Sequence, residues 1–182
     1  MQVIFESIRN VSAVGGSPVI FGIAFLVAIF LLVRRDYLRL VILAISLVSG
    51  VYSSLLKLIF KESRPVSYIS NGLIPWDRLV KSEAYSFPST HTVLYTVFFG
   101  YLFYLSFKLK GVDKVVRHSA RLFCALMIIS VGISRVLLGA HFVKDVVSGY
   151  LFGLLYLGAV IYIDRLMYRR KDFGDKNEQK NR

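Results

Sequence analysis

Along this chain the hydrophobic positions fall in long unbroken runs, and the charges sit between them. Four runs carry no charge at all: residues 17–33, 40–56, 92–107 and 146–163. A fifth, 122–133, stays apolar as far as Leu138 apart from Ser134-Arg135. At 16 to 18 residues, each uncharged run stands near the lower limit for a helix crossing roughly 30 Å of hydrocarbon. Flanking residues lengthen each helix into the interface, where Lys and Arg stems lie along apolar surface with their charged heads in water. None of Pro18, Pro65, Pro75 and Pro88 lies mid-span. That placement suits uninterrupted helices, because proline removes a backbone hydrogen bond that lipid cannot replace. The pattern predicts an all-α polytopic membrane bundle of five transmembrane helices. Residues 2–12 space Ile4, Ile8 and Val11 at helical intervals and read as a further short helix lying in the interface.

Composition narrows the class. Of 182 residues, 55% are hydrophobic and 19% charged, which excludes a disordered chain. The net charge of +12 points to a partner of opposite sign. Nucleic acid is a poor match for so apolar a chain; a bilayer carrying anionic lipid is a better one. Cys124 is the single cysteine and lies inside an apolar run, so an intrachain disulfide framework and a Cys-based zinc site are excluded. Three histidines leave little for a His-rich metal centre, and no metal or other cofactor is expected. Fifteen of the 23 Lys and Arg residues fall in the first and third connections and in the stretch after Asp164. Positive charge gathers on the cytosolic side, so the amino terminus is expected outside and the carboxyl end in the cytosol. The first run is followed by three arginines, the reverse of a cleavable signal peptide. One membrane domain is expected over 1–168, with a basic, partly disordered cytosolic tail over 169–182.

This topology puts the second and fourth connections on the same outer face, where the chemically unusual residues collect. Lys57 is followed, after six residues, by Arg64-Pro65. A long connection leads to Pro88-Ser89-Thr90-His91 at the start of the third span. Ser134-Arg135 closes the fourth span, and His141 and Asp145 enter the fifth. His141 and Asp145 are i and i+4, one helix face. A carboxylate that accepts from one ring nitrogen fixes the tautomer and leaves the other nitrogen free to act as a nucleophile. Arg64 and Arg135 can hold phosphoryl oxygens by a planar fork, and Lys57 as a point charge. Ser89 adds a hydroxyl, and the first amides of the third helix point at the same anion. His91 can then protonate a leaving oxygen. Taken singly each feature is ordinary: Lys57 a snorkelling lysine, Arg64-Pro65 a turn, Pro88 a first-turn proline. Their convergence on one face, by a topology argument that did not use them, points to metal-free phosphoryl transfer through a covalent histidine.

Other features read as structural. Gly149-x-x-x-Gly153, continued by Gly158, suits close helix packing. Trp76, Tyr68 and Tyr85 are interface anchors, and Leu73, Ile74 and Trp76 can also line a route for a lipid tail. Cys124 reads as a buried small residue, and His118 lies in the cytosolic connection, far from the cluster.

The three motifs, Lys57-x6-Arg64-Pro65, Pro88-Ser89-Thr90-His91 and Ser134-Arg135-x5-His141-x3-Asp145, resemble those of the type 2 phosphatidic acid phosphatase (PAP2) superfamily. The resemblance covers residues 57–145. It implies His141 as the phosphohistidine nucleophile, Asp145 as its orienting partner and His91 as the acid. It also implies Lys57, Arg64, Ser89 and Arg135 as phosphate ligands, joined by the Thr90 amide. Thr90 stands where the family more usually has glycine; its amide survives, while its side chain tightens packing near the phosphate. Many membrane members have six spans, and here an interfacial helix takes the place of the first.

A site at the membrane surface of a chain with no sizeable soluble domain favours a substrate already in the bilayer. Phosphatidylglycerophosphate, undecaprenyl diphosphate and lipid A carrying a 1-phosphate all fit. The expected protein is a lipid phosphatase acting at the outer face of a bacterial cytoplasmic membrane. One rival is transfer from the same phosphohistidine to an acceptor other than water. Another is a transporter that binds a phosphate or lipid without cleaving it. Transport usually uses broken helices or repeats near the midplane, and neither is visible here.

Overall fold

The computed structural model describes the backbone of residues 17–64, 85–109 and 111–180, with side chains over 20–64, 85–109 and 111–169. Its helices are α1 (Ser17–Val33), α2 (Tyr37–Leu47), α3 (Ser49–Phe60), α4 (Thr90–Lys108), α5 (Lys114–Leu137) and α6 (Val143–Lys180). The fold is all-α, as the run pattern predicts; among the described residues the extended pairing is a lone antiparallel bridge between Ser63 and Tyr85.

The count of helices differs from the prediction at one place. The second predicted span is two helices, α2 and α3, which meet at Val48. No proline causes the break. Ser46 Oγ donates to the Leu43 carbonyl at 2.6 Å, and Ser49 Oγ to the Ser46 carbonyl at 2.7 Å. Such back-bonds compete with the helical ladder and bend it. A second difference concerns the end of the chain, where α6 runs 38 residues to Lys180, past residue 168. Residues 2–12, including Ile4, Ile8 and Val11, lie outside the described residues, as do Tyr68, Leu73, Ile74 and Trp76.

Tyr37–Phe60, Lys114–Leu137 and Val143–Arg169 are long and apolar enough to cross a membrane, and Ile20–Val33 is a shorter apolar helix. Helix α4 falls outside that set because it carries His91 and several Thr and Tyr residues. Its position explains why these are tolerated. Helix α4 packs against α2, α3, α5 and α6, and its Tyr95, Val97, Phe98, Phe99 and Tyr101 are fully buried. A helix surrounded by helices meets little lipid, so it needs no continuous apolar surface. The outer faces do: Phe25, Leu55, Ile129 and Leu155 are each more than half exposed, a surface suited only to a bilayer. Inside it, tyrosine hydroxyls tie helices together. Tyr156 Oη donates to the Ile45 carbonyl at 3.0 Å, and Tyr150 Oη to the Ile128 carbonyl at 2.7 Å.

The glycine stripe on α6 lets it approach α4. A Cβ on Gly149 would lie 2.8 Å from Thr92 Cβ and 3.1 Å from the Ser89 carbonyl oxygen, and one on Gly153 would lie 2.8 Å from Thr96 Cβ. Gly158 does not continue this contact, for a Cβ there meets nothing within 4 Å. Gly149→Ala is therefore expected to destabilise the bundle by about 1–3 kcal/mol through overpacking. Gly158→Ala should be neutral or stabilising, because alanine is the better helix former. Thermal melts of the two detergent-purified variants check this, and equal melting temperatures would contradict it.

Candidate active site

The end of α3, the start of α4, the end of α5 and the start of α6 all lie at one end of the bundle. The links between them are specific. Ser89, immediately before α4, donates its backbone N–H to the Asp145 carbonyl in the first turn of α6 at 3.1 Å. The Ser86 N–H donates to the Glu62 carbonyl at 2.7 Å, tying the segment before α4 to the segment after α3. Lys144 pairs with Glu62 across the same end. Both side chains of that pair are substantially exposed, so it adds little stability.

Gly139 makes the reversal between α5 and α6 possible. It sits at φ +65°, the left-handed region that a residue with Cβ rarely adopts. Its N–H donates to the Val136 carbonyl at 2.9 Å, and the Ala140 N–H to the Arg135 carbonyl at 3.1 Å. This is the paired closure of a Schellman helix end. The His141 N–H reaches the same Arg135 carbonyl at 3.3 Å. The five residues between Arg135 and His141 thus form one tight turn that holds both at the same end.

His141 and Asp145 do not share a helix face, as their spacing predicts, because α6 begins only at Val143. They meet across the helix entry instead. Asp145 Oδ2 accepts the Phe142 N–H at 2.9 Å, closing the first turn of α6 as an acidic residue at the third helical position does. The same oxygen lies 3.5 Å from His141 Nδ1. Ser86 completes a triangle: its hydroxyl donates to Asp145 Oδ2 and lies 3.3 Å from His141 Nδ1. Ser86 and Asp145 are fully buried and His141 is 4% exposed. With Nδ1 held by these two groups, Nε2 is the ring nitrogen left for chemistry. Burial holds the His141 imidazole below its ordinary pKa; the hydrogen bond to Asp145 opposes this, and the Arg64 and Lys57 charges reinforce it. This direction favours the neutral imidazole, the form in which a ring nitrogen can act as a nucleophile.

The other sequence-predicted residues gather around this pair. Arg135, His141, Lys57 and Arg64 all act electrostatically on His91, the second residue of α4. Lys57 is fully buried on α3, and Arg64 is 9% exposed in the segment beyond it. Ser89 is fully buried, and its Oγ accepts from Thr92 Oγ1 at 3.0 Å. Thr90 opens α4 and accepts at its hydroxyl from Ser53 Oγ at 3.3 Å. All eight predicted residues are thus at one end. Three cationic side chains acting on two imidazoles make this end strongly positive, the environment that favours a bound anion of high charge. His118 lies near the opposite end of α5, hydrogen-bonded to its own helix at the Lys114 carbonyl. Among the described residues no three His, Cys, Asp or Glu side chains cluster.

Sequence reasoning missed Ser86. The signal was present only in its position, two residues before Pro88 in a segment that must turn back toward the third span. Nothing local distinguished it from Ser82 or Ser89; contact with His141 and Asp145, more than fifty residues away, does.

Comparison with known proteins bears on the family and the fold. The family model described as PAP2 superfamily matches residues 37–168. Phosphatidylglycerophosphatase B from Bacillus subtilis (strain 168) is 34% identical over 93 residues, a match covering 50% of this chain and 45% of that relative. The chain thus matches less than half the length of this relative. The crystal structure of a transmembrane PAP2 type phosphatidylglycerolphosphate phosphatase from Bacillus subtilis superposes with a TM-score of 0.72 over 91% of this chain and 78% of that one, at 23% identity. That likeness is one of fold. With the family model covering well over half of its length, and the helical core superposing on a solved member, this chain belongs to the PAP2 superfamily.

Proposed function

We propose that this protein hydrolyses the phosphate or diphosphate group of a membrane lipid, without a metal, through a phosphohistidine at His141. The observation that carries the reading is the buried triangle of His141, Asp145 and Ser86, which commits Nδ1 and leaves Nε2 beside a cluster of cations. Lys57, Arg64, Ser89, Arg135 and the Thr90 amide hold the phosphoryl oxygens. The His141 Nε2 lone pair attacks phosphorus, the bond from phosphorus to the lipid oxygen breaks, and that oxygen takes a proton from His91, whose imidazolium form the negative charge of the bound phosphate stabilises against the neighbouring cations. Asp145 stabilises the positive charge on the phosphorylated ring. Water then gives a proton to the now neutral His91, its oxygen attacks phosphorus, and the N–P bond breaks. Orthophosphate leaves, and both histidines return to their starting states.

A lipid substrate is supported by an apolar groove of about 470 Å³ between α5 and α6, lined by Ile133, Val136, Leu137 and Val146. Val136 and Val146 adjoin Arg135 and Asp145 in sequence, so the groove starts beside the site. Phosphatidylglycerophosphate, the substrate named for the similar proteins, leads the candidates, ahead of undecaprenyl diphosphate and lipid A 1-phosphate. The excess of basic residues at the opposite end supports placing the site at the outer face of the cytoplasmic membrane.

The test is orthophosphate release by the purified full chain in detergent and EDTA, from each of these lipids and from glucose 6-phosphate. Release from a lipid phosphate, undiminished by EDTA and blocked by vanadate, is expected. Loss of activity in EDTA with rescue by Mg²⁺ would overturn the metal-free mechanism. Release from glucose 6-phosphate alone would overturn the lipid assignment, and no release by folded protein would overturn hydrolysis. In the same assay Ser86→Ala should lower kcat about tenfold with KM unchanged, the cost of removing one buried hydrogen bond that orients the nucleophile. Ser86→Thr, which keeps the hydroxyl, should recover most of that loss.

A further inference from the structure

At the end of the bundle away from His91 and His141, the link between α1 and α2, the first turn of α2, the end of α4 and residues 164–169 of α6 enclose a second cavity, of about 620 Å³. Helix α4 separates it from His91 by roughly 25 Å, counting 1.5 Å per residue. Five cations line it: Arg34, Arg39, Lys108, Arg165 and Arg169. Its two carboxylates are already engaged. Asp164, 2% exposed, accepts from Tyr101 Oη at 3.2 Å and from Tyr104 Oη at 2.9 Å. Asp36 pairs with Arg39 at 2.8 Å and accepts from Tyr168 Oη. These bonds build a rigid floor of tyrosine rings, over which the cations are laid: Arg39 lies 4.3 Å from the Tyr168 ring centre, Lys108 5.5 Å and Arg165 5.9 Å from that of Tyr104. Five positive charges against two negative ones leave the cavity cationic.

The cavity does not end in water on every side. At Leu109, which lines both, it adjoins a groove of about 400 Å³ between α1, α4 and α5. That groove is walled by Ile23, Val27, Leu102, Leu105 and Ala120, and its wall is almost entirely apolar. A cationic cavity that shares the Leu109 wall with an apolar groove, in a chain that crosses a membrane, is complementary to an amphiphile with an anionic head. We propose that this is a binding site for one anionic glycerophospholipid of the leaflet opposite the catalytic end. Its phosphodiester lies among Arg39, Lys108 and Arg165, and an acyl chain lies along the groove below Leu109. The arginine forks suit phosphate oxygens, and Asp36 holds that of Arg39 in place. The site differs from the catalytic one in kind: no histidine faces it among its lining residues, so it binds without turnover.

The test uses the full chain, delipidated in a nonionic detergent and titrated with phosphatidylglycerol, phosphatidylcholine or the chain-free headgroup glycerophosphoglycerol. Melting temperature and lipid count by native mass spectrometry are the readouts. One phosphatidylglycerol per chain and a saturable rise in melting temperature are expected, with neither from phosphatidylcholine nor from the free headgroup at matched concentration. Lys108→Gln with Arg165→Gln should weaken phosphatidylglycerol binding about thirtyfold, from roughly one unit of interfacial charge energy per cation. Lys114→Gln, an exposed cation at the same end outside the cavity, should bind as wild type does. Ala120→Phe fills the groove while leaving every cation, and should also lose the retained lipid. Equal retention of phosphatidylcholine, or full retention by the double variant or by Ala120→Phe, would overturn the proposal. So would loss of binding in Lys57→Gln with retention in the double variant, which would place the lipid at the catalytic end.

Discussion

Replacing His141 with alanine is expected to lower phosphate release at least about 10⁴-fold, the scale on which removal of a covalent nucleophile acts. The expectation follows from what remains. Lys57, Arg64, Ser89 and Arg135 still bind the phosphate, so substrate affinity should change only a few-fold, and the loss should appear in kcat. Among the described residues no other imidazole has a ring nitrogen held by a carboxylate, so no bypass of comparable rate is expected. The side chain is 4% exposed, and its removal leaves a cavity. A melting curve is therefore measured beside activity, and His141→Gln, closer in volume, serves as a second variant. A direct readout accompanies the rate. Wild-type protein mixed with ³²P-labelled substrate and quenched in alkali should retain acid-labile label on the chain, and neither variant should. Folded His141→Ala with activity within tenfold of wild type, or with retained label, would remove His141 from the mechanism.

Asp145→Asn should lower kcat by about 10² to 10⁴ with KM little changed, because a neutral amide cannot stabilise the positive charge that forms on the His141 ring. Asp145 Oδ2 accepts from Ser86 and from the Phe142 N–H and contacts His141 Nδ1. All three meet one oxygen: an amide oxygen placed there keeps the hydrogen bonds without the charge, and an amide nitrogen placed there donates to Nδ1 and selects the wrong tautomer. The pH profile separates this orienting role from simple loss of structure. Burial, Arg64 and Lys57 lower the His141 pKa, whereas Asp145 raises it. In wild type the acid limb of kcat/KM should therefore fall below the ordinary histidine value of 6.5. Removing the carboxylate removes the only opposing influence among these groups, so the limb of the residual activity should move to still lower pH. A limb that moves up, or kinetics that do not change, would contradict the assignment.

Much of this site was legible because its residues are polar where the surrounding pattern is apolar. Lys57, His91, Arg135 and Asp145 stand at the ends of apolar runs, with Arg64 and His141 in the connections beside them, and counting spans is enough to bring alternate connections to one face. What counting spans cannot supply is the local backbone. The i, i+4 spacing of His141 and Asp145 suggests a shared helix, but the turn closed by Gly139 delays α6 until Val143, and the pair meets across the helix entry instead. The break at Val48 was equally hidden, since serine back-bonding, unlike proline, leaves no obligatory mark on a sequence.

The sequence by itself determined the class of structure and the set of candidate residues: an all-α membrane bundle, with three motifs directed to one end. It could do so because hydrocarbon demands closed backbone hydrogen bonding and long apolar runs, constraints written locally along the chain. Only the tertiary structure decided which helix is interior, that Ser86 joins His141 and Asp145, that Gly149 and Gly153 but not Gly158 bring α6 against α4, and that a cationic cavity meets an apolar groove at Leu109. Those facts depend on contacts between segments far apart in sequence, and on distances that no spacing rule encodes.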